Sequence, residues 1–283
     1  MIVFATCNRF PDPTPSLDLL LKALQADGVD AGFHPWNHAD QRPFGAADIV
    51  LPICCWDYQP EVARFRAWID GLDAAGVALL NPAPLLRWNL RKTYLLDLAA
   101  SGLAVPRSFQ LASATPEAIE AHLRRQGWQS AVLKPVSGQG GAGVLKLDLA
   151  DRAGWDLGEQ LGAEALLQAV HPEIAALGEI TLVFVDGEFS HAVQRRLQPG
   201  EWRANHQYGV SVEAASVDAG LIATARRYLD AAPSLPFYAR VDGLARPDRF
   251  LLMELEAVEP YFYFELVPGT AERFAAALKR RLR

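Results

Sequence analysis

Two short runs near the end of the chain carry paired charge: Arg240-Val241-Asp242 and Leu252-Met253-Glu254-Leu255-Glu256, separated by a turn from Ala245 to Arg249. Both read as strands, and side chains at i and i+2 of a strand share a face. Glu254 and Glu256 therefore point the same way, and Arg240 joins Asp242 on one face of its own strand. If the strands pair, three carboxylates and an arginine converge. Hard oxygen ligands of this kind suit Mg²⁺, which commonly sits between carboxylates and nucleotide phosphates. Leu251, Leu252, Met253 and Leu255 argue against a solvated hairpin. Buried acids without cations would repel one another.

A second run, VLKPVSGQGGAGVLKLD from Val132 to Asp148, places Gly138, Gly140 and Gly143 in the pattern G-x-G-x-x-G. A dinucleotide fold needs a helix straight after the glycines and an acid about 20 residues on. Here Val144 to Leu147 alternates like a strand, and no suitable acid follows. No Gly-Lys-Ser/Thr completes a Walker loop, and the H-R-D and D-F-G signatures of protein kinases are absent. What remains is a glycine-rich hairpin with Lys134 on its leading strand. Glycines let backbone N–H groups approach phosphate oxygens, and a lysine adds a point charge. A plain flexible hairpin would explain the glycines equally well.

The elements that must position these groups follow from pattern. Ile2 to Thr6 is a buried strand and Ser16 to Ala26 an amphipathic helix. Val29 to Trp36, Asp48 to Cys55 and Val77 to Leu80 read as strands, with a helix from Glu61 to Ala75. This β-α-β-β-α-β order predicts a parallel, doubly wound sheet, whose ligands sit beyond the carboxyl ends of the strands. Cys7-Asn8-Arg9 and Trp56-Asp57-Tyr58 leave those ends and are candidates to line a substrate pocket. A helix is expected from Asn89 to Ala100, another from Thr115 (N-cap) and Pro116, and a third from Asp151 to Gln160. Strands are expected at Ala131 to Lys134, Val144 to Leu147, Ala165 to Val170, Glu179 to Val185, Glu188 to Arg195, Tyr238 to Val241 and Phe250 to Glu256. Asp186-Gly187 makes a hairpin turn, and Ala271 to Leu282 is the last helix.

With 283 residues, 51% of them hydrophobic and 21% charged, the chain is globular and long enough for two or three units. A net charge of −6 argues against nucleic acid or an anionic membrane as partner. No apolar run is long enough to span a bilayer, and the start lacks the features of a signal peptide. Cys7, Cys54 and Cys55 suggest a reducing cytoplasm and read as small buried hydrophobes rather than metal ligands.

Taken in order, these pieces resemble the ATP-grasp enzymes from about Trp88 to the C-terminus, with the first third as the preceding domain. The resemblance rests on Lys92, Lys134-Pro135 before the glycines, Gln168-Ala169-Val170 with Glu173, Gly178-Glu179, Arg240-x-Asp242 and Glu254-x-Glu256. It implies an α/β fold with α+β subdomains, the ATP-grasp fold behind a doubly wound parallel-sheet domain. The division would be 1–88, a lid subdomain at 89–167 with the glycine hairpin, and 168–283 with the metal site. It also implies ATP and two Mg²⁺ ions. Asp242, Glu254 and Glu256 would hold the metal; Glu256 stands where the family usually has Asn and adds a negative charge. Lys92, Lys134 and the lid residues Ser137, Gly138, Gln139, Gly140 and Gly141 would meet the nucleotide. So would Glu179, the Gln168, Ala169 and Val170 backbone at the adenine edge, and Glu173 at the ribose. The detailed flavour resembles the glutathione-synthetase-like branch. WDY, NPAPLLRWNLRKTYL, GEITLVFVDGEFSHAV and the MELE–EP ending resemble the ligases that close the cycloserine ring from O-ureidoserine.

Such ligases phosphorylate a carboxylate and let an amine displace the phosphate. Arg240, Arg195 and Arg203 are the catalytic candidates, Arg240 as the stabiliser of the oxyanion. Arg195, Arg196, Arg203 and Asn205 flank the loop from Leu197 to Tyr208 and could anchor the acceptor acid; a solvated basic edge is the plainer reading. His171, His191 and His206 lack a visible nucleophile partner and read as structural. The expected partners are a small-molecule carboxylate and an amine nucleophile, and relatives are often homodimers. A peptide or protein amino-acid ligase, as in glutathione synthetase or the ribosomal-protein glutamate ligases, is the alternative, and a non-catalytic ATP-binding module a third.

Overall fold

The computed structural model describes residues 1–204 and 208–282. The N-terminal elements are β1 (Ile2–Thr6), α1 (Pro15–Ala26), β2 (Ala31–Pro35), α2 (Arg42–Gly45), β3 (Ile49–Leu51) and α3 (Val62–Ala74). The middle of the chain holds α4 (Ala83–Asn89), α5 (Tyr94–Ala100), β4 (Ser108–Leu111), α6 (Pro116–Gln126), β5 (Ser130–Pro135), β6 (Leu145–Asp148), β7 (Ala165–Ala169) and α7 (Ile174–Leu177). Then come β8 (Glu179–Val185), β9 (Glu188–Arg196), β10 (Ser211–Ala215), α8 (Ala219–Asp230), β11 (Tyr238–Ala245), β12 (Phe250–Glu256) and α9 (Thr270–Arg281).

β1 is buried along its whole length, as a strand covered on both faces must be. It is the centre of a parallel sheet ordered β2-β1-β3. Ile2, Phe4 and Leu51 pack with Leu17, Leu20 and Leu24 of α1 and with Phe274 and Leu278 of α9. Val3, Ala5 and Val50 pack on the opposite side with Phe65, Ile69 and Leu72 of α3. Helices on both faces make the sheet doubly wound, as the alternation predicts. β3 is shorter than the expected Asp48 to Cys55, because Pro52 has no N–H for the ladder and the chain turns away. The strand expected at Val77 to Leu80 is a single parallel bridge, Val50 to Leu79.

Two antiparallel sheets complete the molecule. The smaller is ordered β4-β7-β5-β6 and the larger β10-β9-β8-β11-β12. The smaller sheet runs through Ala169, so the boundary expected between 167 and 168 falls inside β7. The helix expected from Asn89 to Ala100 begins only at Tyr94 as α5, and the preceding α4 ends at Asn89. In the gap between them the Lys92 N–H donates to Val136 O at 2.6 Å. The segment 151–160 forms short 3-10 turns rather than a helix. Thr115 caps α6 as expected, its Oγ1 accepting from Ala118 N. Asp186 and Gly187 take φ of 52° and 78°, the conformation of a tight hairpin turn. β10 and α8 are additions to the sequence reading; α8 is capped by Asp218, which accepts from Leu221 N at 2.7 Å. No helix among the described residues is long and apolar enough to cross a membrane.

Two asparagines, Asn81 buried and Asn89 half-buried, tie the parallel sheet's side of the chain to β11 and β12. Asn81 Nδ2 donates to Tyr238 O and Ala257 O, both at 2.8 Å, while its Oδ1 accepts from Phe237 N at 2.5 Å. Asn89 donates to Leu255 O at 2.8 Å and accepts from Ala257 N at 2.7 Å. An alanine at 81 would leave buried backbone groups at Phe237, Tyr238 and Ala257 without these partners. Each unpaired group costs roughly 1–3 kcal/mol. Asn81→Ala is therefore expected to lower the denaturant midpoint clearly, and a variant as stable as the parent would contradict this account of the junction.

Candidate metal and nucleotide site

The strand pair that carries the acids forms as the alternation requires. β11 and β12 run antiparallel with Arg240 opposite Glu256 and Asp242 opposite Glu254. A bulge follows Asp242, and Gly243 is needed there because a Cβ would run into Leu251 O and the Phe250 ring. One carboxylate oxygen from each of Asp242, Glu254 and Glu256 lies within 4.8 Å of the other two.

Three cations keep this cluster from bursting. Arg240 donates from Nη2 to Asp242 Oδ2 at 2.7 Å and from Nε to Oδ1 at 3.0 Å, and it also pairs with Glu256. Arg195 comes from β9 across β8, donating from Nη2 to Glu179 Oε2 at 2.6 Å and to Asp242 Oδ2 at 2.7 Å. Lys92, in the break between α4 and α5, pairs with Glu254. Thr181, two residues after Glu179 on the same face of β8, donates to Asp242 Oδ1 at 2.8 Å.

Burial pushes every one of these carboxyls towards its neutral form, and the outcome depends on the nearby cations. Burial of Glu254 is outweighed by Lys92 and Lys134, which hold it below the ordinary carboxylate value. Burial of Asp242 is outweighed in the same way by Arg195 and Arg240. For Glu256, burial together with repulsion from Glu254 and Asp242 prevails over Arg240, and its carboxyl is lifted to about 8. Burial lowers Lys134, which has no hydrogen-bond partner among the described residues, despite the pull of Glu254.

Lys134 and Glu254 face each other across a cleft of about 340 Å³ between the two antiparallel sheets. Lys92, Gly138, Gln139, Gly141, Gln168, Ala169, Val170, Glu179, Arg195 and Arg203 line it as well, so most of the expected nucleotide residues come together. The glycine run is the hairpin between β5 and β6, and Gly140, Gly141 and Gly143 all have positive φ. Ser137 and Gly140 belong to that hairpin but are not on the cleft wall. Glu173, at the start of α7, is not itself on the cleft wall: it meets Nδ1 of His171, which is on that wall, at 3.2 Å and Arg246 at 3.4 Å. Gln168 spends its side-chain amide on Ser108 Oγ at 3.1 Å.

The arginines separate by environment. Arg196 is exposed and pairs with Glu213, the solvated edge. Arg203 pairs with Glu201 at 2.9 Å, and its guanidinium lies 3.5 Å from the Tyr208 ring centre. Arg195 is buried within the acid cluster and also donates from Nη1 to Ala204 O at 3.1 Å, which ties the loop to the cluster. Asn205 and His206 lie outside the described residues. His191 is structural: Nε2 meets Phe262 O at 2.6 Å, and burial lowers it to about 4. The cysteines are unbridged and buried, and burial raises Cys54 to about 12.

The sequence reading missed Val132, Val144 and Met253, which give the cleft an apolar slot, as well as Lys146 and Trp202 on its wall. Thr181 could have been found from its i+2 relation to Glu179. Glu259 stood in the MELE–EP ending, but nothing in the sequence signalled that its carboxylate accepts from Tyr58 Oη at 2.9 Å. The donor set is all oxygen and adjoins a cleft with unpaired lysine charge, which fits Mg²⁺ and a polyphosphate.

Comparison with known proteins agrees with this geometry. The family described as prokaryotic glutathione synthetase, ATP-grasp domain, matches residues 104–228. The N-terminal domain of D-cycloserine synthetase DcsG matches residues 2–81. The cycloserine biosynthesis protein DcsG of Streptomyces lavendulae is 29% identical over 93% of both chains. A glutathione synthetase of Prochlorococcus marinus is 30% identical over 69% of this chain and 63% of its own. The crystal structure of D-cycloserine synthetase DcsG superposes with a TM-score of 0.86 at 26% identity, covering both chains fully.

Glu256 has a pH signature. Between its ordinary value of 4.5 and about 8, the folded protein holds a proton that the unfolded chain has lost. Stability of the metal-free protein should therefore fall as pH rises through that window. Mg²⁺ must displace the same proton, so its affinity should climb by up to about tenfold per pH unit below pH 8. Titration calorimetry at several pH values checks this. Glu256→Gln should remove most of the slope, and a flat profile in the parent protein would refute the assignment.

Proposed function

The chain belongs to the ATP-grasp ligases of the glutathione-synthetase branch, and on that premise we propose that it uses ATP to activate the carboxylate of a small amino-acid-like molecule and joins it to an amine. The observation that carries this reading is the convergence of Asp242, Glu254 and Glu256 beside a cleft walled by Lys134 and the glycine hairpin. The likeness to the Streptomyces lavendulae protein over 93% of both chains supports an intramolecular ring closure of the cycloserine kind, within antibiotic biosynthesis.

Each residue then has a task. Asp242, Glu254 and Glu256 hold Mg²⁺, which when bound neutralises charge on the transferring phosphoryl group. Lys92 and Lys134 take phosphate oxygens, with Gly138, Gln139 and Gly141 offering backbone N–H groups. Val132, Val144 and Met253 flank the base, while the backbone of Ala169 and Val170 meets its polar edge. The hairpin 136–144 closes over the site and keeps water from the activated carboxylate. Arg240 steadies the oxyanion formed as the amine adds, and Arg203 holds a substrate carboxylate. Three unbridged buried cysteines suit a cytoplasmic protein.

ADP release measured against a panel of carboxylates checks the reaction class. Release with small amino acids alone is expected. Release only with peptides would point to a peptide ligase, and ATP binding without turnover to a binding module. Arg240→Lys, which keeps the charge beside Asp242 and Glu256 but loses the guanidinium fork, should depress kcat by about 10²- to 10³-fold, as loss of an oxyanion donor does, while nucleotide affinity changes little. Full turnover in this variant would remove Arg240 from the chemistry.

A further inference from the structure

Beyond the nucleotide cleft, a second face of the acid cluster is closed by aromatic side chains. Three segments meet there: the one leaving β1, the one leaving β3, and the one following β12. Trp56 stacks near Tyr261 with ring centres 6.3 Å apart, Phe10 meets Trp56 edge-on at 6.4 Å, and Tyr261 meets Tyr263 at 4.9 Å. Phe10 is 42% exposed, so this aromatic wall has an open rim. The Arg240 guanidinium lies 5.8 Å from the Tyr263 ring centre. Tyr263 itself adopts φ 57°, a conformation rare for a residue with a side chain.

Within this wall stands one carboxylate fixed from the N-terminal side. Glu259 Oε1 accepts from Tyr58 Oη at 2.9 Å, and its backbone oxygen accepts from Trp56 Nε1 at 3.0 Å. Its other oxygen, Oε2, has no hydrogen-bond or ion-pair partner among the described residues. Glu259 is half-buried; burial lifts its carboxyl to about 7 against the hydrogen bond from Tyr58 and the charge of Lys92, and an incoming ammonium would favour the ionised form. A half-buried carboxylate with one unfilled oxygen is an acceptor waiting for a donor, and a cationic donor is favoured most. Aromatic faces around it stabilise the same charge.

We propose that Glu259, oriented by Tyr58, reads the ammonium group of an α-amino-acid substrate whose carboxylate lies towards Arg240. This deepens the ligase reading and rests on it for the direction of the carboxylate. In an α-amino acid the ammonium and the carboxylate are bonded to the same carbon, so the acid that reads one must stand in the same region as the cation that reads the other. Arg240 Nη1 donates to Tyr261 O at 3.3 Å, two residues after Glu259, which brings the two side chains to one end of the site. The wall formed by Phe10, Trp56 and Tyr261 is left for the side chain of the substrate. Glu259 is a specificity residue, and Tyr58 a positioning residue that acts through it.

The test compares each amino acid of a panel, O-ureido-D-serine included, with its des-amino counterpart. ADP release is followed in the full-length parent, Glu259→Gln and Tyr58→Phe. Calorimetric titration of the same acids into protein loaded with a non-hydrolysable ATP analogue runs alongside. Glu259→Gln, which can still accept from Tyr58, is expected to raise the amino-acid KM by about 10- to 100-fold, the scale of a lost charge-assisted hydrogen bond. The KM for ATP should hold, and the preference over the des-amino acid should disappear. Tyr58→Phe should give a smaller rise in the same KM. Turnover with that preference intact in Glu259→Gln overturns the proposal and leaves the ligase reading standing. No turnover with any acid, but calorimetric preference for the amino form that vanishes in Glu259→Gln, keeps the proposal and overturns the ligase reading. Neither turnover nor binding of any amino acid by the parent overturns both.

Discussion

Charge balance in one small volume governs this structure. Asp242, Glu254, Glu256 and Glu179 converge on the inner face of an apolar sheet, where carboxylates left alone would be strongly disfavoured. Arg240, Arg195 and Lys92 answer them, each arriving from a different element: β11 itself, β9, and the gap between two helices. The balance is incomplete. Glu256, lifted to about 8, marks where positive charge falls short, and Lys134, unpaired across the cleft, marks where negative charge is missing. A metal ion with a polyphosphate would supply both.

The rest of the fold can be understood as support for that arrangement. The bulge at Gly243 lets Asp242 and Glu254 face each other while the remainder of β11 and β12 stays in register. Asn89 clamps β12 at Leu255 and Ala257, the two residues that flank Glu256, so the acid-bearing strand is held from its backbone. Tyr94 Oη accepts from Leu255 N at 2.8 Å in the same stretch. The break between α4 and α5, which a continuous helix would have abolished, is what lets Lys92 reach Glu254. The parallel sheet contributes through its strand ends: the segment after β3 brings Trp56 and Tyr58 to Glu259.

Much of the site was legible from residue alternation. The i, i+2 spacing in Arg240-x-Asp242 and Glu254-x-Glu256 fixes which side chains share a face, and pairing of adjacent strands then brings them together. The glycine run followed by an alternating stretch identified a hairpin rather than a helix. Errors arose where a local pattern was overridden. Pro52 cut β3 short, and a backbone hydrogen bond from Lys92 to Val136 accompanied the break in an otherwise plausible helix. Glu173 turned to Arg246, which is 73 positions away and beyond the reach of any local pattern.

The sequence alone determined the fold class, the hairpin that covers the cleft and the identity of the acids, because each depends on short-range periodicity of two or about 3.6 residues. Only the tertiary structure decided which cation neutralises which acid and that Arg195 joins the acid cluster to the loop at Ala204. It alone decided that Glu259 stands with one oxygen unfilled behind an aromatic wall. Apart from the Arg240–Asp242 and Arg195–Ala204 pairs, those outcomes depend on contacts between residues 16 to 201 positions apart. Burial and charge are settled there by the whole packed environment, which no spacing along the chain encodes.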